Sequence, residues 1–227
     1  MVSELEKSKV LEPWHLDLWQ NLISEFGLWY KALVASCEEK NISAAAWLTR
    51  SVLELTVWVT YCVRSRDDAK RFYDDKARDV FDVLDHLKVL AKLGDKPDFS
   101  LTDLIDEARK RIADRVTTDG YEQIDETYQR VHNAAQQVGL GPLFGSMNKL
   151  FSKFAHPTAM MVFSYPDEAH RAQASVVFLT LGIGFCTASM AEFEQYAKAI
   201  CPTTTSPDSK SEARPRDVFG SGVKPQP

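Results

Sequence analysis

The sequence predicts an all-α protein: one bundle of about seven helices followed by a disordered tail. Three observations lead to this prediction. Apolar residues recur at three- and four-residue spacing in one segment after another, as they do on the buried face of an amphipathic helix. No segment shows the apolar–polar alternation between hairpin turns that is typical of strands. Half of the ten prolines lie after Cys201, and so many prolines prevent this last segment from forming helices.

Capping and breaking residues bound the predicted helices. Asn41 or Ser43 caps the second helix, and Ser65 with Asp68 resembles a capping box that opens the third. The sixth helix stops before Pro157, because proline lacks a donor and restricts the residue that precedes it. The predicted helices cover about residues 16–35, 43–63, 66–93, 101–116, 121–138, 143–155 and 168–199.

The chain divides into an N-terminal extension (1–13), a helical domain (14–201) and a tail (202–227). In the tail, Ser, Thr and charged residues fill most of the space between the prolines. Such a segment buries too little apolar surface to offset the entropy lost on ordering, so the tail is predicted to be disordered.

Composition excludes several classes of protein. The net charge of −5 argues against a protein that coats DNA, which needs a strongly basic surface. The four cysteines lack C-x-x-C spacing, so we expect free thiols in a reducing compartment and no zinc site. No pair of Glu-x-x-His motifs and no glycine-rich phosphate loop is present, so we expect no metal and no cofactor. Residues 1–12 lack the apolar core of a secretory signal, and the predicted location is the cytoplasm.

One segment permits a different location. Residues 172–191 contain no charge, and about 20 apolar residues suffice to cross a membrane. The segment also contains Gln173 and Thr180, with Gly182 and Gly184 at its middle. These residues favour a core helix that packs closely against its neighbours, and a membrane span remains the alternative.

The second helix carries an isolated pair of charges. Between residues 44 and 63 the only charged residues are Arg50 and Glu54, four apart and therefore on one face, together with Tyr61. A buried charge is costly unless it is paired. The pair is either a structural contact between helices or the lining of a polar cavity in which Arg50 binds an anion.

A second polar group lies near the end of the sixth helix. Lys149, Ser152 and His156 have the spacing i, i+3 and i+7, which places them on one helical face. His156 lies in the last turn, where the helix dipole favours a cation. A cation, a hydroxyl and an imidazole together are suited to proton transfer at a phosphate or ester. The alternative is that His156 only caps the helix end before Pro157.

These segments resemble a known family. Residues 49–54, Thr-Arg-Ser-Val-Leu-Glu, are similar to the Arg-Ser-Leu-Leu-Glu helix of an uncharacterised bacterial family. That family has a downstream signature, Tyr-Arg-x-Leu-Ser-x-x-x-His-Pro, whose counterpart here runs from Asn148 to Pro157. The likeness extends over about residues 15–200, including the acidic third helix, and the family brings no established activity.

The spacing of Lys149 and His156 also resembles the HEPN superfamily, in which an Arg and a His are separated by four to six residues. This resemblance implies an HEPN-like helical arrangement. It also implies a metal-independent RNase or a component of a toxin–antitoxin or phage-defence system, often a homodimer. His156 would then transfer the proton of a 2′-hydroxyl, and Lys149 would hold the phosphate of an RNA or nucleotide. Lysine stands where the pattern has arginine and lacks its bidentate fork, so a non-catalytic member is equally compatible.

Three hypotheses follow from the sequence. The first is a binding or regulatory helical protein with a pocket between the second helix and the end of the sixth, around Arg50, Glu54, Ser152 and Tyr61. The second is an RNase that uses His156 and Lys149. The third is a single-span membrane protein through residues 172–191.

Overall fold

A computed structural model describes residues 11–91, 100–118, 129–156, 158, 161 and 167–200. The predicted tail and residues 1–10 of the predicted extension lie outside these ranges. The described residues form seven helices and no strand, which confirms the all-α prediction. The helices are α1 (Pro13–Glu38), α2 (Ile42–Arg64), α3 (Arg66–Ala91), α4 (Leu101–Thr118), α5 (Val131–Gln137), α6 (Gly141–Ala155) and α7 (Glu168–Ile200).

Side chains cap the starts of three helices, and the first two of these caps lie at the predicted positions. The Asn41 side chain accepts a hydrogen bond from the backbone N–H of Ala44 at 3.2 Å, so Asn41, and not Ser43, caps α2. The hydroxyl of Ser65 accepts from the N–H of Asp68 at 3.0 Å. Ser100 caps α4 in the same way, accepting from the N–H of residue 103 at 3.1 Å.

The fifth helix begins later than predicted within the residues that the structure describes. Residues 129 and 130 are not helical, α5 begins at Val131, and the predicted part over 121–128 lies outside the described residues. The backbone N–H of Gln129 donates to the buried carboxylate of Asp75 at 3.3 Å instead of entering a helical turn. This contact anchors the segment before α5 to α3. Burial, with a contribution from the nearby Asp79, raises the pKa of Asp75 to about 6.

Helix α2 lies at the centre of the bundle. It contacts α1, α3, α5, α6 and α7. The charged side chains of Arg50 and Glu54 in its middle are half-buried, whereas its apolar residues are buried along almost every side. The fully buried large side chains of α2 are those of Thr49, Val52, Leu53, Val57, Tyr61 and Cys62. The core therefore forms around α2, as expected for a helix that is apolar almost all round.

Helix α7 packs lengthwise on α2 through hydroxyl groups and small residues. The Thr49 hydroxyl donates to the carbonyl of Phe178 at 3.3 Å, and the Ser189 hydroxyl donates to the Thr56 hydroxyl oxygen at 3.0 Å. On the side towards α1, Gly182 lies against fully buried Leu33, and a Cβ at this glycine would overlap Leu33 Cδ2. These contacts agree with the predicted close packing at Gly182. The same prediction is wrong for Gly184, which is exposed and has nothing within 4 Å of a Cβ.

By length and composition alone, α7 is also the one described helix that could cross a membrane. Only 22% of its most apolar stretch is buried in the bundle. A core helix can satisfy the same criteria of length and composition, so this finding is weak evidence for a span.

Cysteines 37, 62 and 186 are free thiols, as predicted, and Cys201 lies outside the described residues. Burial raises the pKa of the Cys37 and Cys62 thiols, which keeps them protonated and unreactive.

Two glycine-to-alanine substitutions test the packing of α7. Gly182→Ala should lower the free energy of unfolding by about 1–3 kcal/mol, because its methyl group overpacks against Leu33. Gly27→Ala in α1 should raise it by about 0.5–1 kcal/mol, because nothing lies within 4 Å of a Cβ there and alanine favours the helix. Urea denaturation measures both changes. An equal gain from the two variants would show that α7 does not pack closely on Leu33.

Candidate functional site

Arg50 and Glu54 form an ion pair on the side of α2 that faces α6. The Arg50 Nε–H donates to Glu54 Oε1 at 3.0 Å, one helical turn away. Their side chains are 30% and 32% exposed, respectively. The pair is therefore only partly shielded from solvent, and it lies at the edge of the core, outside its interior.

Ser152 connects this pair to α6. An Nη1–H of Arg50 donates to the Ser152 hydroxyl oxygen at 3.4 Å, across a separation of 102 residues. The Ser152 hydroxyl itself donates to the carbonyl of Asn148 at 2.7 Å. Its oxygen is thereby directed towards the guanidinium as an acceptor. The structure thus brings Arg50, Glu54 and Ser152 together in one chain of hydrogen bonds, which we call the Arg50 junction.

The Arg50 guanidinium retains unused donors. A guanidinium carries five N–H donors in a planar fork, and within the described residues only Nε and Nη1 have partners. The two contacts hold the fork in one orientation, which reduces the entropy lost when a further acceptor binds. The remaining donors can bind a carboxylate or phosphate oxygen.

A second unsatisfied polar atom lies beside the junction. The Oδ1 atom of Asn148 is buried and has no hydrogen-bond partner among the described residues. Asn148 lies one turn before Ser152 on α6, and its carbonyl accepts the Ser152 hydroxyl. An unpaired buried oxygen is costly, and a bound donor or water molecule would satisfy it.

Lys149 and His156 are the other two site residues that were predicted on this part of the chain. Both side chains are exposed, and the helical repeat places them on the same side of α6, next to Ser152. His156 is the C-cap residue of α6, and its backbone N–H donates to the Ser152 carbonyl at 3.3 Å. Within the described residues, no hydrogen bond or ion pair holds the side chain of either residue, so both are free to contact a ligand.

Tyr61 lies elsewhere. It is fully buried, two turns beyond Glu54 on α2, and its ring contacts Trp58 and the guanidinium of Arg64. Burial and the charge of Asp68 raise its pKa to about 12. No contact joins Tyr61 to the Arg50 junction in the described residues.

The described part of the chain includes a cavity of about 300 Å³ away from the junction. It lies at the start of α2, roughly 12 Å along the helix from Arg50. None of the predicted site residues lines it; its walls are Glu39, Lys40, Asn41, Ile42, Ser43, Met161 and Arg171. The pocket predicted between the second and sixth helices stays a prediction. No group of three metal-ligating side chains occurs among the described residues.

A buried histidine in α1, His15, was not predicted from the sequence. His15 is 4% exposed, and its Nε2 lies 2.8 Å from the Tyr196 hydroxyl of α7. Its ring stacks on that of Trp14, with the ring centroids 4.6 Å apart. Burial, and then the charge of Arg66, lowers the pKa of His15. Only its place near the predicted first helix, ahead of an apolar face, could have indicated burial.

Among known proteins, the chain matches a family described as a family of unknown function, DUF5677, over residues 28–170. This range is more than half of the chain and includes the Arg50 junction, so the chain belongs to that family. No curated protein matches the chain. No solved structure matches it either.

The buried His15 predicts a dependence of stability on pH. Its folded-state pKa is depressed, so below about pH 6.5 the unfolded chain binds a proton that the folded chain does not. The free energy of unfolding should therefore fall on acidification, by at most about 1.4 kcal/mol per pH unit from this group. His15→Phe should reduce this slope in urea denaturation between pH 7.5 and 5.

Tyr196→Phe is the control, because it removes the hydroxyl contact but keeps the titrating ring, and so should keep the slope. The raised pKa of Asp75 acts in the opposite direction, and it cancels when each variant is compared with the wild type. An unchanged slope in His15→Phe would contradict the prediction.

Proposed function

We propose that this member of a family of unknown function is a cytoplasmic binding protein that holds a phosphate group of an RNA or nucleotide at the Arg50 junction. The observation that carries the proposal is the half-buried guanidinium, which Glu54 and Ser152 orient while other donors stay available. Guanidinium forks match phosphate oxygens in geometry and charge.

The surroundings of Arg50 support an anionic ligand. Lys149 and His156 lie on the neighbouring face of α6, and both are exposed. The chain as a whole has a net charge of −5, so the cations Arg50 and Lys149 offer a local site and not a general basic surface. A ligand with one or two phosphates fits this distribution better than a long nucleic-acid duplex.

A binding experiment tests the proposal. The wild-type chain should bind a labelled short single-stranded RNA or a nucleotide in fluorescence anisotropy, and Arg50→Lys should weaken binding about tenfold. Lysine keeps the charge but cannot donate from two nitrogens of one plane, and about 1.4 kcal/mol corresponds to tenfold.

Arg111→Lys is the matched control, because Arg111 also pairs with a glutamate four residues away, at Glu107, but lies on exposed α4. An equal loss of affinity in both variants would show that binding depends on general electrostatic attraction and not on the Arg50 junction. The proposal would be ruled out if the wild type bound neither the RNA nor the nucleotide.

RNA cleavage is a second candidate function, favoured by the position of Lys149 and His156 beside Ser152. The HEPN-like pattern has an arginine where this chain has Lys149, and Arg50 can supply the missing fork from α2 through its contact with Ser152. His156 would take the proton of a 2′-hydroxyl, whose oxygen attacks the adjacent phosphorus. The bond from phosphorus to the 5′-oxygen breaks, and that oxygen takes up a proton.

An assay in EDTA separates the two candidates. If the chain is an RNase, purified protein should cleave single-stranded RNA without metal, and His156→Ala should reduce the rate at least about a hundredfold. His170→Ala is the control, because that exposed histidine pairs with Asp167 at the start of α7. Cleavage that is absent, or equal in both variants, leaves the binding function only.

A role in a phage-defence or toxin–antitoxin system is a finer proposal that rests on the HEPN-like spacing. Regulation of an RNA-processing partner would suit a non-catalytic phosphate site. Genes for a nucleotidyltransferase or a restriction enzyme beside the gene for this chain would support such a role, and unrelated metabolic neighbours would argue against it.

A further inference from the structure

The helices around α2 leave one side of it uncovered. From the start of α2 to Trp58, every residue that is not buried lies on this side, at the three- and four-residue spacing of one helical face. We call this surface the α2 stripe, and its larger side chains are those of Trp47, Arg50, Glu54, Leu55 and Trp58. The Arg50 junction therefore lies in the middle of an open stripe that also carries two indole rings.

Trp47 is the exposed aromatic residue of the α2 stripe. Its side chain is 48% exposed, whereas every other Trp, Tyr and Phe in the described part of the chain is buried or half-buried. The ring of Trp29 on α1 meets that of Trp47 edge-on, with the centroids 5.1 Å apart and an angle of 72° between the planes. This contact restrains the Trp47 ring while much of it stays open to solvent. A restrained, open indole is a surface on which another planar ring can stack.

The ring lies next to the proposed phosphate site. Trp47 precedes Arg50 by three residues, and side chains at this spacing are neighbours on a helix, with Cβ atoms about 5–6 Å apart. An oxygen bound by the unused donors of Arg50 would therefore lie beside the indole. A nucleotide carries its base and its phosphate on one sugar, so a single nucleotide can occupy both places.

The other direction along the α2 stripe is less favourable for such a ligand. Glu54 lies one turn after Arg50, and its negative charge repels a phosphate there. Trp58, one turn further on, stacks on Phe72 with the ring centroids 4.4 Å apart, so one face of its ring is already covered. The first two turns of α2 carry no charge. A ligand held by Arg50 is therefore expected to extend towards Trp47.

The end of α6 lies in the same direction. Gln137, just before α6, accepts hydrogen bonds from Arg64 at the end of α2, whereas Ser152 near the end of α6 reaches the middle of α2. The two helices therefore run antiparallel. His156 follows Ser152 by one turn, so it lies at about the level of Trp47. A nucleotide placed in this way would also lie near the exposed imidazole.

We propose that Trp47 stacks on the base of a nucleotide whose phosphate lies at Arg50. The inference rests on the proposed function and adds a base contact to the phosphate contact. The ligand is then a free nucleotide or an unpaired nucleotide of an RNA strand, since bases inside a duplex are stacked on their neighbours. Every base has a π-face, so the contact does not select one base by hydrogen bonding.

Isothermal titration calorimetry with adenosine 5′-monophosphate (AMP) and ribose 5-phosphate tests the base contact, because only AMP carries a base. The wild type should bind AMP about tenfold more tightly than ribose 5-phosphate. Trp47→Leu should remove this difference and leave the affinity for ribose 5-phosphate unchanged, which would also show that the variant folds. Trp47→Phe keeps a smaller ring and should retain part of the difference.

Leu28→Ala is the matched control, because it removes an apolar side chain that is 59% exposed on α1 but has no ring. It should change neither affinity. If Trp47→Leu left AMP binding unchanged while Arg50→Lys weakened both probes, the base contact would be overturned and the phosphate site would stand. Equal weakening of both probes by Trp47→Leu would also overturn it, because the ring would then act only through the structure. A wild type that bound neither probe would overturn both proposals.

A short single-stranded oligoadenylate distinguishes the two sources of the nucleotide. Tighter binding of this RNA than of AMP, weakened by Trp47→Leu, would assign the site to an RNA strand. Equal binding of the two, weakened by the same variant, would assign it to a free nucleotide. Both results support the base contact, and an oligoadenylate whose binding ignores Trp47→Leu would contradict the contact for RNA.

Discussion

Helix α2 is buried on nearly every side, and five other helices pack around it. A polar group on a helix in this position is costly unless it is hydrogen-bonded, because burial removes its hydrogen bonds with water. Its threonines meet this condition locally. Thr49 and Thr56 donate to the backbone carbonyls one turn earlier. The Thr49 hydroxyl also donates to the Phe178 carbonyl of α7, and the Thr56 hydroxyl oxygen accepts from Ser189 of α7. These hydroxyl contacts therefore hold α7 against α2, and they also supply hydrogen-bond partners for buried polar groups of both helices.

The same constraint determines where charge can lie on α2. Arg50 and Glu54 are tolerated because they occupy the edge of the core, where about a third of each side chain still meets solvent. Ser152 of α6 adds one more contact to the guanidinium, and the buried amide oxygen of Asn148 stays unpaired beside it. A structural ion pair does not need unused donors or an unsatisfied neighbour, and these two features make the junction a candidate for ligand binding.

Helix α7 has two faces with different chemistry. One face is adapted to the bundle, with Gly182 against Leu33 and Ser189 against Thr56. The other face is also apolar and uncharged, but its side chains are exposed. The long uncharged run in the sequence arises because both faces of the helix lack charged residues. This explains why composition alone is compatible with both a core helix and a membrane span. The distinction depends on which side chains are covered, and the bundle covers only one side.

The all-α class and most helix boundaries could be predicted from the sequence, because periodicity, caps and prolines act over a few residues. Asn41, Ser65 and Ser100 cap as local chemistry requires. The pairing of Arg50 with Glu54 could also be predicted from the sequence, since residues four apart lie about one helical turn apart. Three contacts depend on how the helices pack together. Ser152 reaches Arg50 across 102 positions, Gln129 donates to Asp75 instead of entering a helix, and His15 is buried against Tyr196. Each of these contacts joins separate helices, and the packing that brings separate helices together leaves no periodic pattern along the chain.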